Sequence, residues 1–221
     1  MPRIARIVVP DYPHHVTQRG VRRMDVFFSE RDRMNYVKLL AEQGQIHGVR
    51  YLAWCLMSNH VHLVVIPDSE SSLARGIGEA HRRYTLAINK RKGWRGYLFQ
   101  GRFYSCPVEP TQILGVVRYV LRNPVRAGLV EHACDYNWSS AAWLAEERAK
   151  DALVHERGPL VEIQNWRSFL DLDEASEEQI RKHTRTGRPL GSAIFTAQVE
   201  LLTQRELTKQ KPGPKKRGHE P

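Results

Sequence analysis

The stretch CLMSNHVHLVVIP, Cys55 to Pro67, places two histidines one residue apart inside an otherwise apolar run. With VRYLAWCLM (Val49 to Met57) ahead of it, the segment reads as two strands joined by a tight Ser58–Asn59 connection. Successive side chains on a strand point to opposite faces, so His60 and His62 share one face. Their Cα atoms lie about 6.5 Å apart on a regular strand, close enough for both imidazoles to reach one metal ion. Val61, Leu63 and Val65 form the opposite face and turn toward a core. On one unbroken strand the same parity would turn Cys55, five residues before His60, away from it, an argument that the Ser58–Asn59 turn weakens without removing. A strand with two partly exposed, merely hydrogen-bonded histidines fits the pair almost as well. A third ligand has to decide.

Working outward, HHVTQRG (His14 to Gly20) reads as a strand that ends at a glycine, followed by the basic turn VRRMD. Ser29 with Asp32 three residues later forms a capping box, opening a helix that runs to Gly44–Gly48. A long basic helix is expected from Ser72 to Lys92, then a strand in GRFYSCPVE, then a helix in TQILGVVRYVLRN stopped by Pro124. Strands and helices interleave with connections too short for a large parallel sheet. The expectation is an α+β fold, one antiparallel sheet with helices packed on one face.

The pattern changes near Ala149. Residues 1–148 are expected to form the functional domain and 149–221 a C-terminal extension. That extension should hold two short helices, one capped by Ser176 and Gln179 and one over AIFTAQVELLTQREL, before a basic Pro/Gly-rich tail, disordered on its own.

Of 221 residues, 41% are hydrophobic and 26% charged, the balance of an ordinary soluble protein. Thirty-four basic against 24 acidic side chains give a net charge of +10, the footprint of a nucleic-acid binder. Three cysteines without paired spacing exclude a disulfide framework and fit a reducing cytosol. No run of apolar residues reaches membrane-spanning length.

In the Thr111–Pro124 helix, Ile113, Leu114, Val117, Val120 and Leu121 share one broad arc that must be buried. Tyr119 falls outside that arc, on what reads as the polar side, with Asn123 one turn away and Arg126 near in angle. A phenol and an amide oxygen thus stand side by side. An amphipathic helix with its tyrosine at the core boundary and its hydroxyl in water is the simpler reading of the helix taken alone. Basic and aromatic residues interleave in HRRYTLAINKRKGWRGYLFQGRFY: Arg82, Arg83, Lys90, Arg91, Lys92, Arg95 and Arg102 alternate with rings including Trp94. Cations for phosphates and rings for base stacking are what single-stranded or hairpin nucleic acid requires. Phe99 and Phe103 are assigned to the core.

Together these pieces resemble the single-tyrosine HUH transposases of the IS200-like superfamily, above all its REP-associated branch. The resemblance rests on HVTQRG, MSNHVHLVV, QGRFY, YVLRNPVRAGLV and YNWSS, in that order over residues 1 to 145. It implies a ferredoxin-like or RRM-like sheet with the histidine strand central. It makes Tyr119 the nucleophile, His60 and His62 ligands of Mg²⁺ or Mn²⁺, and Asn123 the occupant of a third-ligand position often held by Gln. The implied activity is cleavage and rejoining of single-stranded DNA at palindromic hairpins through a 5′-phosphotyrosine link. The alternative is a transposase-derived protein that binds hairpins without cutting them, and a further one is a zinc module using the histidines and a cysteine. Contacts to DNA are assigned to Arg19, Arg22 and Arg23, to the cations above with Trp94, to Arg126, and to Arg188, Lys215, Lys216 and Arg217. The last four lie in TGRPLGS and KPGPKKRG, which resemble minor-groove hooks. A cytoplasmic, nucleoid-associated monomer is expected, with a homodimer as the other arrangement and no membrane or small-molecule partner.

Overall fold

The computed structural model describes residues 5–172 and 177–207. Its core is four strands, β1 (His14–Arg19), β2 (Val49–Leu56), β3 (His60–Pro67) and β4 (Tyr104–Pro107). They pair antiparallel in the order β2-β3-β1-β4. Helix α1 (Glu30–His47) joins β1 to β2, and α2 (Ser72–Lys92) joins β3 to β4. This βαββαβ arrangement is the ferredoxin-like one, and the histidine strand β3 is internal to the sheet.

Local chemistry explains the boundaries. Ser29 accepts the Asp32 amide proton at the start of α1, while Asp32 reaches back to the Phe28 amide at 2.9 Å. Gly48 and Gly93 end α1 and α2 in left-handed conformation, which glycine adopts without a Cβ clash. Leu73, Ile77, Ala80, Tyr84 and Ile88 recur at helical spacing on α2 and are buried. Together with α1 they cover Val16, Leu63 and Val65 of the sheet. Each large aliphatic side chain so buried stabilises the fold by about 1.5–3 kcal/mol.

The opposite face is also covered, which corrects the expectation of helices on one side only. Val64 and Ile66 share the histidine face, so that face is apolar for half the length of β3 and must be buried there too. Helix α3 (Ile113–Leu121) packs onto it through Ile113, Val116, Val117 and Val120. A bulge at Leu52 in β2 places both Leu52 and Ala53 on this second core. Pro124 does not end the helical path. It sits at the start of a following turn of helix, α4 (Asn123–Arg126), where its missing N–H is harmless.

Helices α5 (Ala141–Leu144), α6 (Trp166–Asp171), α7 (Glu177–Thr186) and α8 (Ala193–Thr203) follow. Residues beyond 149 join the same cores: Leu153 and Val154 pack under α1, and Leu160, Trp166, Leu170, Ile180 and Leu190 under α3. Phe195 and Val199 of α8 pack on Ile7 and Val9. Ser176 and the tail cations Lys215, Lys216 and Arg217 lie outside the described residues.

Candidate active site

β1 and the first half of β3 set the floor of the site. Thr17 pairs with His62 and Arg19 with His60, so His60, His62, His15, Thr17 and Arg19 project from one face of the sheet. Over Val64 and Ile66, the next residues of β3 on this face, α3 covers it; toward the Ser58–Asn59 turn it is open. The result is a cleft of about 570 Å³ lined by His15, Arg19, His60, His62, Tyr119, Asn123, Arg126, Arg181 and Thr184.

Tyr119 lies on the sheet-facing side of α3 and is 4% exposed, not on a polar face as its position on the helix suggested. The side of the helix that lacks a continuous apolar stripe is covered by imidazoles instead of aliphatic chains. The Tyr119 ring stands edge-on to His15 and His62, with centroids 5.7 Å from each. Arg126 lies over the ring, its Cζ 4.3 Å from the centroid. Arg181 of α7 donates from Nε to the phenol oxygen at 3.4 Å.

The two strand histidines are oriented from behind. His60 Nδ1 lies 2.6 Å from Asn59 Oδ1, and Asn59 Nδ2 donates to the Arg23 carbonyl, which fixes the amide's orientation. An amide oxygen only accepts, so His60 Nδ1 carries the proton and Nε2 is left with its lone pair. His62 Nδ1 lies 3.0 Å from His15 Nε2, the two rings being parallel within 4°. Burial, with the Arg19 and Arg126 charges, lowers His60 to about 4. Burial, then Arg126, lowers His15 to about 3. His62 is held well below the ordinary range, by burial first and by the neighbouring imidazoles and arginines next. All three are neutral at pH 7, the form that binds a metal.

Among the described residues, no set of three His, Cys, Asp or Glu side chains is placed to hold an ion. Asn123 is buried beside Tyr119, but its Nδ2 donates to the Tyr119 and Val120 carbonyls and its Oδ1 accepts from Arg126 Nη2 at 2.9 Å. It holds Arg126 in place in this geometry. Cys55 is the cross-strand partner of His62 and shares its face, contrary to the parity expectation, because a two-residue turn reverses the phase. Burial raises its thiol far above the ordinary value, and its Sγ contacts Met57 Sδ. Those are the surroundings of a buried core thiol.

Of the other expected DNA contacts, Arg19 and Arg126 line the cleft. Arg22 and Arg23 are exposed on the turn after β1. Arg82 and Arg83 are both held by Glu79, and Arg91 by the buried Asp32 carboxylate. Lys92 lies over the rings of Phe28 and Trp94. Lys90, Trp94, Arg95 and Arg102 are exposed, as is Tyr97 at 84%. Phe99 and Phe103 are core, as expected, and so is Tyr84. The Gly187-Arg188-Pro189 segment is not a free hook: Arg188 Nε donates to the Leu207 carbonyl and Leu190 pairs with Val108 beside β4. His15, Asn59, Arg181 and Thr184 were not anticipated. The first two sit beside motifs already noted, in HHVTQRG and SNHVH; no local signal marks the others.

Comparison with known families gives the class: over residues 8–123 the sequence matches a transposase model. That model describes IS200-like transposases and spans more than half of the chain, so the chain belongs to that family of DNA-transposing proteins. Among solved structures, one described as the REP-associated tyrosine transposase bound to a REP hairpin superposes with a TM-score of 0.55 at 17% identity, covering 71% of this chain and 92% of the other. It shares the fold. A second, from Deinococcus radiodurans R1, covers 54% of this chain and 95% of its own at 18% identity and a TM-score of 0.38. No protein of curated function matches the sequence. Among the described residues, no helix is long and apolar enough to cross a membrane.

Proposed function

We propose that this chain cuts and rejoins single-stranded DNA at hairpin-forming sequences, with Tyr119 as nucleophile and a divalent ion, Mg²⁺ or Mn²⁺, held by His60 and His62. The observation that carries the reading is the placement of Tyr119 against His62, 5.7 Å between ring centroids, in a cleft framed by Arg19, Arg126 and Arg181. The donors fit the ion: two neutral imidazoles, with the His60 Nε2 lone pair free of its Nδ1 bond to Asn59. Asn123 is the candidate third donor, its oxygen at present bonded to Arg126. When bound, the ion polarises the scissile phosphate and offsets charge developing on the leaving oxygen.

The protein groups supply the rest. Arg19 and Arg126 neutralise phosphate charge and set the strand's position. Arg181, donating to the phenol oxygen, orients it for attack, and the phenol proton leaves to water. The Tyr119 oxygen attacks phosphorus, a Tyr–O–P bond forms, and the P–O3′ bond breaks, giving a 5′-phosphotyrosine and a 3′-OH. The new phosphodiester keeps the bond energy, so a second 3′-OH attacks phosphorus and releases Tyr119. The histidines and the tyrosine meet within one chain, which supports the reading of a monomer. Exposed Lys90 in the last turn of α2, with Trp94, Arg95 and Tyr97 beyond it, suits single-stranded or hairpin DNA.

The test is incubation with hairpin oligonucleotides and Mn²⁺, read on a denaturing gel. Wild type should give a covalent adduct and Tyr119→Phe none, with hairpin binding retained. An adduct of normal yield from Tyr119→Phe would overturn the assignment; binding without any adduct from wild type would mark a protein that recognises hairpins and does not cut.

A further inference from the structure

Helix α7 lies outside the span matched by the transposase model, 8–123, yet it enters the site. Thr184, 2% exposed, sits above the cross-strand pair His15 and Cys106 of β1 and β4. Its hydroxyl has three partners: the Ile180 carbonyl at 2.7 Å, His15 Nδ1 at 2.7 Å and Cys106 Sγ at 3.6 Å. His15 Nε2 in turn meets His62 Nδ1 at 3.0 Å.

One proton arrangement satisfies the chain. The Ile180 carbonyl only accepts, so the Thr184 hydroxyl donates to it. The hydroxyl's lone pairs then face His15 and Cys106, and His15 Nδ1 must carry a hydrogen. Neutral His15 is left with a lone pair on Nε2, so His62 Nδ1 donates to it. His62 Nε2 is thereby bare. The reverse order would leave the hydroxyl and carbonyl oxygens 2.7 Å apart with no proton between them, a contact between two acceptors with nothing to offset it.

We infer that Thr184 of α7 is a positioning residue which, through His15, locks His62 in the tautomer whose Nε2 can take a metal ion. The inference rests on the metal-binding reading of His60 and His62. It assigns α7 a role in the site's chemistry. His60 receives the same service from Asn59, one residue away; His62 receives it through His15 from a residue more than a hundred positions downstream. Outer partners of this kind set ring orientation and ligand basicity, and losing one typically lowers metal affinity 10- to 100-fold.

The test compares Thr184→Val, which keeps the shape and loses the hydroxyl, with Thr184→Ser, which keeps the hydroxyl. Two readouts are taken on the full chain: imidazole ¹⁵N chemical shifts of the metal-free protein, which report the tautomer, and Mn²⁺ binding by titration. Wild type and Thr184→Ser should show His62 protonated at Nδ1 and bind Mn²⁺ alike. In Thr184→Val, His15 loses the acceptor that fixes its own proton, so His62 should become a mixture of tautomers and Mn²⁺ affinity should fall about 10- to 100-fold. Should Thr184→Val fail to fold, Thr184→Ala carries the same expectation. A single Nδ1–H tautomer and unchanged affinity in Thr184→Val would overturn the inference, as would equal damage from Thr184→Ser. If wild type binds no Mn²⁺, the metal reading falls, and the ¹⁵N spectra still decide whether Thr184 sets the tautomer.

Discussion

Arg126 lies across the ring of Tyr119 and also binds the Tyr119 carbonyl at 3.2 Å, Glu177 Oε1 at 2.8 Å and Asn123 Oδ1 at 2.9 Å. One guanidinium thus joins the candidate nucleophile, the candidate third ligand and helix α7. Replacing it should be felt twice. Arg126→Gln is expected to lower adduct formation on the order of 10²-fold, as loss of one charge-stabilising donor does elsewhere. It should also cost about 1–3 kcal/mol of stability, because several charged hydrogen bonds go at once. Adduct kinetics and urea denaturation give the two numbers, and a wild-type rate in Arg126→Gln would remove Arg126 from the reaction.

Asn59 offers a simpler test of the metal reading. Asn59→Leu removes the acceptor that directs the His60 proton to Nδ1. Mn²⁺ affinity should drop about 10- to 100-fold while the fold persists, since the turn itself is held by the Val26 and Phe27 amides bonding the Ser58 carbonyl. Titration of Mn²⁺ reads the effect; equal affinities would mean His60 is not a ligand or needs no such support.

Acid should destabilise the protein well before its carboxylates titrate. Burial lowers His14 to about 4, and burial, then Arg6, lowers His81 to about 3, both from 6.5. Below pH 6.5 the unfolded chain takes protons that the folded chain refuses, so stability is complete above that value and is lost as pH falls toward 4. Each such histidine contributes a slope of up to about 1.4 kcal/mol per pH unit. His81→Gln, which keeps a partner for the Tyr36 hydroxyl now 2.7 Å from Nε2, should reduce the slope by about that amount between pH 6 and 4. Denaturation at several pH values checks this, and an unchanged slope would show that His81 does not titrate on unfolding.

The cations of α2 and the loop after it should divide into two kinds. Arg91 neutralises Asp32, whose carboxyl would be raised by burial but is held low by Arg91 and the Phe28 amide. Arg91→Ala should therefore destabilise by about 1–3 kcal/mol. Arg95→Ala should leave stability within about 0.5 kcal/mol and reduce the salt dependence of hairpin binding by about 0.7 in log–log slope. Binding isotherms across salt concentrations, beside denaturation curves, separate the two; a stability loss in Arg95→Ala of the Arg91 size would refute the division.

The β2–β3 hairpin and both long helices were legible because each writes its own period into consecutive residues. Alternating histidine and apolar residues at 60–63, run on into the apolar stretch 63–66, mark β3, and the 3.6-residue repeat with its Ser29 and Gly48 stops marks α1. Cys55 was misplaced because parity counted along a chain fails across a turn; pairing, not spacing, puts it opposite His62. Tyr119 looked solvent-facing because a helical projection separates apolar from polar, and the surface it packs on is made of imidazoles. Arg181 and Thr184 could not be read at all. They reach Tyr119 and His15 across 62 and 169 residues, and nothing in their own neighbourhood announces it.

The Ser58–Asn59 turn keeps time for the whole sheet. With two residues in it, even-numbered positions of β3 look toward Tyr119 and odd-numbered ones toward α1 and α2. Adding or deleting a single residue there would shift β3 by one step and exchange the two sets. Val61 and Leu63 would then stand in the cleft and the imidazoles in the oily interior. A one-residue change in length at this turn is thus a harsher lesion than most substitutions in either strand, and natural variation in the chain should spare its length even where it alters its letters.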